Sequence, residues 1–358
     1  MVSQHVPVIG GFGVAYPQQL RQSDLWDGYF ATHFGGRQRV LAQRIFANSG
    51  VGSRHGVVNP MLEDVSGWST TRRMERYLAE ALPLGKEAAS AALASGGVAA
   101  NDIGLFVVCS CTGYVTPGLD ILLARDLGLA PSAQRLFVGH MGCYAALPGL
   151  GTAADYVAVR GRPALLLCAE LTSLHVQPPS TDPQQMVAHA LFSDAAAAAV
   201  IVPGGPGFAV TDVASVTDAT TADQMTWDVT DLGFRMGLSN KVPDILAGHV
   251  VPLVTGLLDR HGLSVSDVDG WAVHPGGPRI LDVVQRELGL GPAELGPSRA
   301  QLAEHGNSSS PTVLLILETL ARAGIMTVTA GSRPATVLAL AFGPGLTLYG
   351  ALLAATAR

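Results

Sequence analysis

The chain carries the same local pattern twice. Residues 99–110, AANDIGLFVVCS, and residues 264–275, SVSDVDGWAVHP, each run from a polar, acidic lead-in through a β-branched residue into a short apolar segment. A helical pattern precedes each segment, and the apolar runs at 164–170 and 336–342 form a second matching pair. Helices that alternate with short, continuously apolar strands are typical of an α/β protein whose sheet is covered by helices. The repetition predicts two halves, residues 1–205 and 206–358, which meet near the VPGGPG segment at 202–207.

The composition allows a large buried core and narrows the classes of function. Of the 358 residues, 48% are hydrophobic and 14% are charged, and the net charge of -6 comes without a basic cluster. This balance argues against a nucleic-acid-binding surface. Four cysteines in a chain of this length do not form a disulfide framework, and the first residues lack the positive charge of a secretion signal. We therefore predict a reduced, cytoplasmic protein.

Residues 335–357 form an uncharged run that is long enough to span a bilayer. The alternative is two short buried strands joined by the turn FGPG. Gly343, Pro344 and Gly345 in the middle of the run would break a spanning helix. We therefore predict a buried hairpin and no membrane segment here.

Cys143 stands where a nucleophile could be activated. It follows a predicted strand and begins a stretch, GCYAALPGLGTAADYVAV, whose apolar residues have helical spacing. At a helix N-terminus the dipole favours a thiolate, and a nearby imidazole would complete the activation. A buried cysteine can also be a small apolar core residue, so the local sequence leaves both interpretations open.

His274 is the best-placed imidazole among the ten histidines. It ends the apolar strand GWAV and precedes the glycine-rich turn PGGPRILD, a position where α/β sheets place chemistry. A hydrogen-bonded structural histidine is the alternative. We expect His5 and His55 on the surface or in loops, and His140 and His305 in polar stretches.

Asn307 follows a glycine and precedes an amphipathic helical pattern within EHGNSSSPTVLLILETL. One interpretation is a helix N-cap, which asparagine often forms. The other is a neutral amide that donates to an oxyanion, because an amide does not lose its proton to a developing anion.

Four motifs in this order, GCYAALPGL, VHPGGPRIL, HGNSSS and FGPGLT, resemble those of the type III polyketide synthases, the chalcone and stilbene synthase relatives. The pair HPGGPRIL and FGPGLT is specific, because the related ketoacyl synthase III enzymes carry HQAN after the corresponding strand. The resemblance runs from IFANSGVGSRH at 45–55 to GPGLTLYG. It implies a thiolase-like fold with duplicated αβαβα halves in a five-layered architecture, the cysteine in the first half and the histidine and asparagine in the second.

The resemblance also implies a reaction that uses CoA thioesters and neither a metal nor an organic cofactor. Cys143 would carry a starter acyl group, and malonyl-CoA would lose carbon dioxide to give an enolate held by His274 and Asn307. His274 as an imidazolium would also keep Cys143 as a thiolate. Repeated condensation and cyclisation would give a pyrone, resorcinol or other aromatic product. The implied partners are malonyl-CoA, a starter acyl-CoA and a second copy of the chain.

Further positions match the family's substrate-binding pattern. Phe192 matches a phenylalanine at the junction of tunnel and cavity, although Ser193 replaces the usual following glycine. Val176 stands where plant members carry a gating phenylalanine, Phe234 where a cavity aromatic is expected, and Cys111 where some bacterial relatives also have cysteine. Because Val176 and Cys111 are small, we expect a roomy pocket beside the nucleophile and aliphatic or bulky starters.

Two more positions, Arg44 and Thr116, match positions that have a role in relatives, but here the residue or its neighbours differ from those of plant members. Arg44 matches a basic residue that relatives use near the CoA phosphates, but the nearby lysines of plant members are absent here. Thr116 replaces a methionine that plant relatives send into the partner subunit's cavity. The family therefore implies a homodimer, but not this cross-subunit contact.

Two other functions are compatible with parts of the pattern. A ketoacyl synthase III-like enzyme would share the cysteine, histidine and asparagine but perform a single condensation. A catalytically silent acyl-CoA-binding or membrane-tethered protein would require all three residues to be structural. Product length separates the first alternative, and alkylation of Cys143 that acyl-CoA blocks would exclude the second.

Overall fold

The structure is a computed structural model that describes residues 5–326 and 333–356. In its first part the elements are β1 Pro7–Ala15, β2 Gln18–Arg21, α1 Gln22–Gly28, α2 Gly36–Ala47, β3 Ser53–Gly56, α3 Thr70–Gly96, β4 Leu105–Cys109, α4 Leu119–Leu127, β5 Gln134–Val138, α5 Ala146–Arg160, β6 Ala164–Leu171, α6 Pro183–Leu191 and β7 Asp194–Pro203. In its second part they are β8 Gly207–Thr217, β9 Met225–Thr230, β10 Gly233–Leu238, α7 Val242–Asp259, β11 Gly270–Val273, α8 Pro278–Leu288, α9 Gly296–His305, α10 Pro311–Arg322, β12 Thr336–Gly343 and β13 Thr347–Thr356.

Nine strands form one mixed sheet in the order β11-β12-β13-β8-β1-β7-β6-β4-β5. The strand order is symmetric about the β1–β8 contact. On one side β1, β7, β6 and β4 correspond to β8, β13, β12 and β11 on the other, and β5 has no counterpart. On each side the inner two strands pair antiparallel, the next pair is antiparallel, and the outer pair, β4 with β6 or β11 with β12, is parallel. The repeated sequence segments contain β4 and β11 in one case and β6 and β12 in the other, so the repeated layout is confirmed. The boundary at 205/206 stays a prediction.

The two parts of the sheet, β5-β4-β6-β7-β1 and β8-β13-β12-β11, form separate layers, with helices between them and on their outer faces. Helices α5 and α10 lie in the middle and share a core with inward-facing residues of both parts. Helix α3 covers the outer face of β4, β6 and β7, and α7 and α8 cover the outer face of β11 to β13. The result is the predicted five-layered arrangement, α-β-α-β-α.

Both faces of these strands are buried, which explains why their sequences do not alternate with polar residues. In β4, Val107 and Cys109 face the middle helices, whereas Phe106 and Val108 face α3. In β12, Ala339 likewise faces the middle layer. Full burial of a Val or Phe side chain contributes about 1.5–3 kcal/mol, so each strand anchors two cores at once.

The apolar run near the C-terminal end forms a hairpin, as predicted. Strands β12 and β13 pair antiparallel from Thr336–Ala354 to Gly343–Thr347. Among the described helices, α7 is long and apolar enough to span a bilayer by length and composition. It packs one face, which includes Leu246, Val250 and Leu257, into the outer core against α8 and β13. Buried core helices can also have this length and apolar composition.

Candidate active site

Cys143 lies in a short 3-10 helix, Gly142–Tyr144, that leads from β5 into α5. Gly142 has φ +69°, in the left-handed region, and a Cβ atom there would lie 2.8 Å from Cδ of Pro344. Only glycine fits this position without strain or collision. The Gly142–Cys143 pair therefore places a buried thiol one tight turn before α5, which is the helix that the sequence predicts here.

His274 follows β11 directly, and its backbone N–H donates to the carbonyl of Leu340, 2.8 Å away. Its ring is fully buried and meets Phe342 edge-on, with ring centroids 5.6 Å apart. Within the described part of the chain, neither ring nitrogen has a hydrogen-bond partner. Burial lowers the pKa of His274 to about 3, so the ring is neutral. A buried imidazole with both nitrogens unused is costly to keep, which favours a functional interpretation over a structural one.

Asn307 is held by its backbone to residues 191–193. Its N–H donates to the carbonyl of Leu191 and its carbonyl accepts from the N–H of Ser193, both at 2.9 Å. Its side-chain Oδ1 accepts from the N–H of Ser309 at 2.8 Å. The interpretation of Asn307 as the N-cap of the helix is wrong, because α10 begins only at Pro311 and the preceding residue is Ser310. The oxygen of the amide is engaged locally, and its nitrogen retains the donor hydrogens.

The end of β12 connects the surroundings of the histidine and the cysteine. Phe342 packs on the ring of His274, and a Cβ atom on Gly343 would lie 3.3 Å from the backbone nitrogen of Cys143. Pro344 borders the chamber at Cys143. The motif FGPG therefore brings the end of β11 and the start of α5 to one place. The hydrogen bonds of the described residues include none among Cys143, His274 and Asn307 themselves.

Burial favours the neutral forms of both Cys143 and His274. Burial, against the opposing hydrogen bond of the Ser309 hydroxyl and with a smaller contribution from the negative Glu170, raises the pKa of the Cys143 thiol to about 12. With His274 also held neutral by burial, this arrangement favours a thiol and an imidazole over the predicted thiolate and imidazolium.

Glu170 is a buried carboxylate that sequence analysis missed. It is the penultimate residue of β6 and accepts hydrogen bonds from the hydroxyls of Thr112 and Ser310, each at 2.7 Å, and from the N–H of Cys111 at 3.0 Å. Burial raises its pKa and the hydroxyl donors oppose that shift. One acidic residue inside the apolar run ALLLCAEL was the available signal, because glutamate is almost never fully buried without partners.

The side chain of Cys143 borders a small, mostly apolar space that we call the first chamber. Its walls are Cys111, Thr112, His140, Gly142, Cys143, Thr172, Phe192, Trp227, Met236, Ser309 and Pro344. The structure thus places Cys111 and Phe192 beside Cys143. Trp227 and Met236, on β9 and β10, were not predicted. The indole N–H of Trp227 donates to the carbonyl of Cys111 at 2.8 Å, which fixes the ring in the wall.

Val176 and Phe234 line a second chamber instead. Its walls are Leu20, Leu25, Phe30, Arg54, His55, Gly56, Val58, Pro60, Thr172, Ser173, His175, Val176, Gln185, Ala188, His189, Phe192, Trp227, Phe234 and Met236. Phe234 stacks on His175, with centroids 4.5 Å apart. The space expected from a small Val176 therefore lies behind Phe192 and Trp227, not directly beside the thiol.

One histidine lies elsewhere than expected. His55 is buried in β3, contrary to the prediction of a surface or loop position. Its Nε2 is 2.9 Å from Nδ1 of His305, and Tyr16 stacks on both rings. These contacts join residues 250 positions apart, which no local pattern could reveal.

The two remaining predicted positions lie outside both chambers. Arg44 is exposed on α2, while its neighbours Ile45 and Asn48 line a third, larger cavity that also includes Arg279 at the start of α8. Thr116 is exposed and lines a surface pocket with Tyr114 and other residues. Within the described ranges, no group of three or more His, Cys, Asp or Glu side chains is placed to hold a metal ion.

Comparisons with known proteins agree with this fold. Residues 6–206 match the family described as "Chalcone and stilbene synthases, N-terminal domain", and residues 213–357 match the corresponding C-terminal domain. The "Alpha-pyrone synthesis polyketide synthase-like Pks18" of Mycobacterium tuberculosis is 34% identical over 364 residues, covering 97% of this chain and 91% of that protein. A "1,3,6,8-tetrahydroxynaphthalene synthase" of Streptomyces griseus is 34% identical over 318 residues, covering 88% and 84%.

Solved structures superpose along the whole chain. PKS-I of the brown alga Ectocarpus siliculosus gives a TM-score of 0.90 at 30% identity and covers 99% of both chains. The 1,3,6,8-tetrahydroxynaphthalene synthase of Streptomyces coelicolor gives 0.90 at 29% identity, covering 99% of this chain and 100% of that one.

The fold is thus that of the thiolase-like acyltransferases, with a buried cysteine at the head of a central helix. The chain belongs to the chalcone and stilbene synthase family. It is a type III polyketide synthase, which condenses malonyl-CoA iteratively and cyclises the product, and the single-condensation alternative is not favoured.

Proposed function

We propose that Cys143 carries the acyl chain and that His274 and Asn307 donate to the enolate. The sulfur of Cys143 bonds to the acyl carbon of the starter, the carbon–sulfur bond to CoA breaks, and the thiol proton leaves on the CoA sulfur. Malonyl-CoA then loses carbon dioxide, and the electron pair that remains forms an enolate. Its carbon attacks the acyl group, and the bond to Cys143 breaks with its electron pair on sulfur, which takes up a proton to restore the thiol. The chain is then on CoA with one more two-carbon unit.

The observation that carries this proposal is the state of His274. Its two buried nitrogens have no partner in the described residues, and its pKa is lowered, so one nitrogen carries a hydrogen and the other is an acceptor. A neutral imidazole can donate to the thioester oxygen of malonyl-CoA as negative charge develops there. The amide of Asn307, whose oxygen is occupied by Ser309, is the second donor.

We infer that the third cavity receives the pantetheine arm and that cations at its mouth hold the CoA phosphates. The cavity is bordered by the N-terminal ends of α6, α7 and α8, through Pro183, Val242 and Pro278. Helix N-termini favour anions. Arg279 stands on this rim without an ion-pair partner among the described residues, and Arg44 lies one turn from Asn48 on the same side of α2.

The edge strand β5 supports the proposal of a homodimer. Its residues are mostly exposed, including Leu136 and Phe137 at 38% and 37%, and Tyr114 and Ile121 are exposed at 74% and 41%. An exposed edge strand with unpaired backbone groups and apolar side chains invites pairing with another chain. We propose that a second copy pairs along β5, in a cytoplasmic enzyme built from two halves, 1–205 and 206–358, that needs no metal or organic cofactor.

The test is to incubate the purified protein with malonyl-CoA and a panel of acyl-CoA starters and to determine product masses. We expect products that contain two or more malonyl-derived units, and we expect Cys143→Ala to give none. Products with a single added unit from every starter would contradict the iterative reaction. Size-exclusion chromatography with light scattering tests the dimer, with Phe137→Glu as the variant expected to weaken it.

A further inference from the structure

We propose that Ser193 and the two histidines His55 and His305 are positioning residues, which hold the amide of Asn307 in the place where it meets the enolate. The inference deepens the proposed function and rests on the role given there to Asn307 as a donor. The condensation steps themselves use none of these three side chains.

The first connection between β3 and Asn307 runs through Ser193, which is fully buried. Its hydroxyl accepts from the backbone N–H of His55 at 2.8 Å and lies 3.4 Å from the carbonyl oxygen of the same residue. The backbone N–H of Ser193 donates in turn to the carbonyl of Asn307 at 2.9 Å. The serine side chain therefore fixes β3 to the strand end that holds Asn307.

The second connection runs through the two imidazole rings. Nε2 of His55 lies 2.9 Å from Nδ1 of His305, the residue that ends α9 two positions before Asn307. Nδ1 of His55 lies 3.1 Å from the carbonyl oxygen of Pro17, so this nitrogen carries the hydrogen and Nε2 is the acceptor. His305 then donates from Nδ1, and this bond holds the end of α9 against β3.

The turn between the two connections has little room to adjust. Gly306 has φ +73°, and a Cβ atom there would lie 2.9 Å from Cβ of Ser193 and 3.2 Å from the carbonyl oxygen of Leu191. Because the backbones are packed so closely, a shift of Ser193 or of the end of α9 is passed on to Asn307.

Titratable groups surround the two rings. Tyr16 stacks on both, and burial raises its pKa to about 12, so it is a neutral phenol. Burial lowers the pKa of His55 and of His305, while the charge of Glu304 raises that of His305. The charged groups around this cluster are Glu304 on α9, Arg54 on β3, Asp194 on β7, and Glu318 and Arg322 on α10.

The bond between the rings tolerates one added proton but not two. A first proton can bind to Nε2 of His305, on the side of Glu304, and leaves the shared bond intact. A second proton places hydrogens on both facing nitrogens and makes two cations in contact, which repel each other. Acidification is therefore expected to release the end of α9 from β3 and to displace Asn307.

The experiment measures kcat and KM for the decarboxylation of malonyl-CoA, without a starter, from pH 5 to pH 8. Ser193→Ala removes the hydroxyl. Ser308→Ala is the matched control, because this buried serine is the direct neighbour of Asn307 and its hydroxyl has no partner among the described residues. Circular dichroism and the acylation of Cys143 by acetyl-CoA check that each variant is folded and that its thiol is accessible.

We expect Ser193→Ala to lower kcat at least about 5-fold at an unchanged KM, the loss typical of one hydrogen bond. Ser308→Ala should keep the wild-type values. The third variant, His305→Gln, keeps a side-chain N–H that can donate to His55 but cannot gain a proton. The fall of its kcat at acidic pH should therefore begin at least about one pH unit below that of the wild type.

A wild-type kcat in folded Ser193→Ala, or a wild-type acid limb in His305→Gln, overturns the inference. If Ser193→Ala does not fold, Ser193→Gly removes the same hydroxyl and replaces it in the test. Asn307→Asp separates the two levels of the argument. A slow Asn307→Asp beside a normal Ser193→Ala refutes the positioning role alone, whereas a wild-type rate in Asn307→Asp refutes the proposed role of Asn307 and this inference with it.

Discussion

The side-chain oxygen of Asn307 lies 2.8 Å from the backbone nitrogen of Ser309 and accepts its hydrogen bond. This bond decides which end of the amide remains available, because the oxygen is used for the local turn and the NH2 group is not. Ser309 itself has φ +58°, a conformation that costs free energy outside glycine. The turn thus orients the NH2 group that we propose as a donor to the enolate.

Asn307→Asp separates the turn from the chemistry. A carboxylate oxygen can still accept from Ser309, but the second oxygen replaces a donor with a negative charge. We expect malonyl-CoA decarboxylation to fall by about 10²–10³-fold, the typical cost of losing one oxyanion donor. Circular dichroism checks that the variant, which carries a new carboxyl group at a buried position, is folded. Release of labelled carbon dioxide measures the rate, and Asn101→Asp on the surface is the control. A wild-type rate of carbon dioxide release from Asn307→Asp would show that Asn307 serves only to hold the turn.

Cys143→Ala should abolish acylation and product formation while the protein remains folded. The matched control is Cys168→Ala, which removes a fully buried cysteine from β6 that lies outside both chambers. Intact mass after incubation with acyl-CoA, together with circular dichroism, checks both variants. An acyl adduct that persists in Cys143→Ala would assign the nucleophile to another residue.

Gly142→Ala tests how strictly the backbone positions the thiol. The new Cβ would meet Pro344 at 2.8 Å in addition to occupying a left-handed conformation. Gly128, which ends α4 with φ +75°, has no atom within 4 Å of its virtual Cβ and therefore carries the conformational cost alone. We expect each substitution to cost about 1–2 kcal/mol from the conformation, measured by urea unfolding, and only Gly142→Ala to lose most product formation. Equal activity in the two variants would show that the contact with Pro344 does not position Cys143.

The sequence was sufficient to single out candidate site residues that stand in a local motif, and their roles stay predictions. Cys143, His274 and Asn307 each stand in a short segment with its own turn or strand end, and the strand repeats predicted the sheet because period and length are local properties. Trp227, Met236 and the place of Val176 could not be predicted, since the chamber walls come from segments far apart in the chain. The position of His55 was predicted wrongly for the same reason, because its contacts with Tyr16 and with His305, 250 positions away, form only in the fold.

Acidification should destabilise the protein through its buried histidines. Burial lowers the pKa values of His175, His189 and His274 to about 4, 3 and 3, below the value of about 6.5 in an unfolded chain. Between about pH 6.5 and pH 4 the unfolded chain therefore binds protons that the folded one does not, so the free energy of unfolding falls as the pH falls. Above about pH 6.5 these groups contribute no pH dependence.

His274→Gln should reduce that slope by up to about 1.4 kcal/mol per pH unit, the contribution of one proton. This residue is the best choice because its ring gives up no side-chain hydrogen bond within the described structure. Urea unfolding at several pH values from 4.5 to 6.5 measures the slope, and His5→Gln at an exposed position is the control. A variant slope equal to that of the wild type would mean that His274 is protonated in the folded protein.

The mouth of the third cavity offers the last test, which concerns the CoA phosphates. Arg279 lines this cavity at the start of α8, whereas Arg44 is exposed on α2 outside the lining. An exposed cation that contacts a phosphate contributes about 1 kcal/mol, so Arg279→Ala should raise the KM for malonyl-CoA about 5-fold with little change in kcat. Malonyl-pantetheine lacks the phosphates of the nucleotide end and should be used equally well by wild type and variant.

Two other arginines serve as controls. Arg44→Ala should raise the KM less than Arg279→Ala does, and Arg160→Ala, on the exposed end of α5, should not change it. If Arg279→Ala weakens malonyl-CoA and malonyl-pantetheine alike, the arginine supports the cavity wall and does not bind the nucleotide, and a larger loss in Arg44→Ala would return that role to α2.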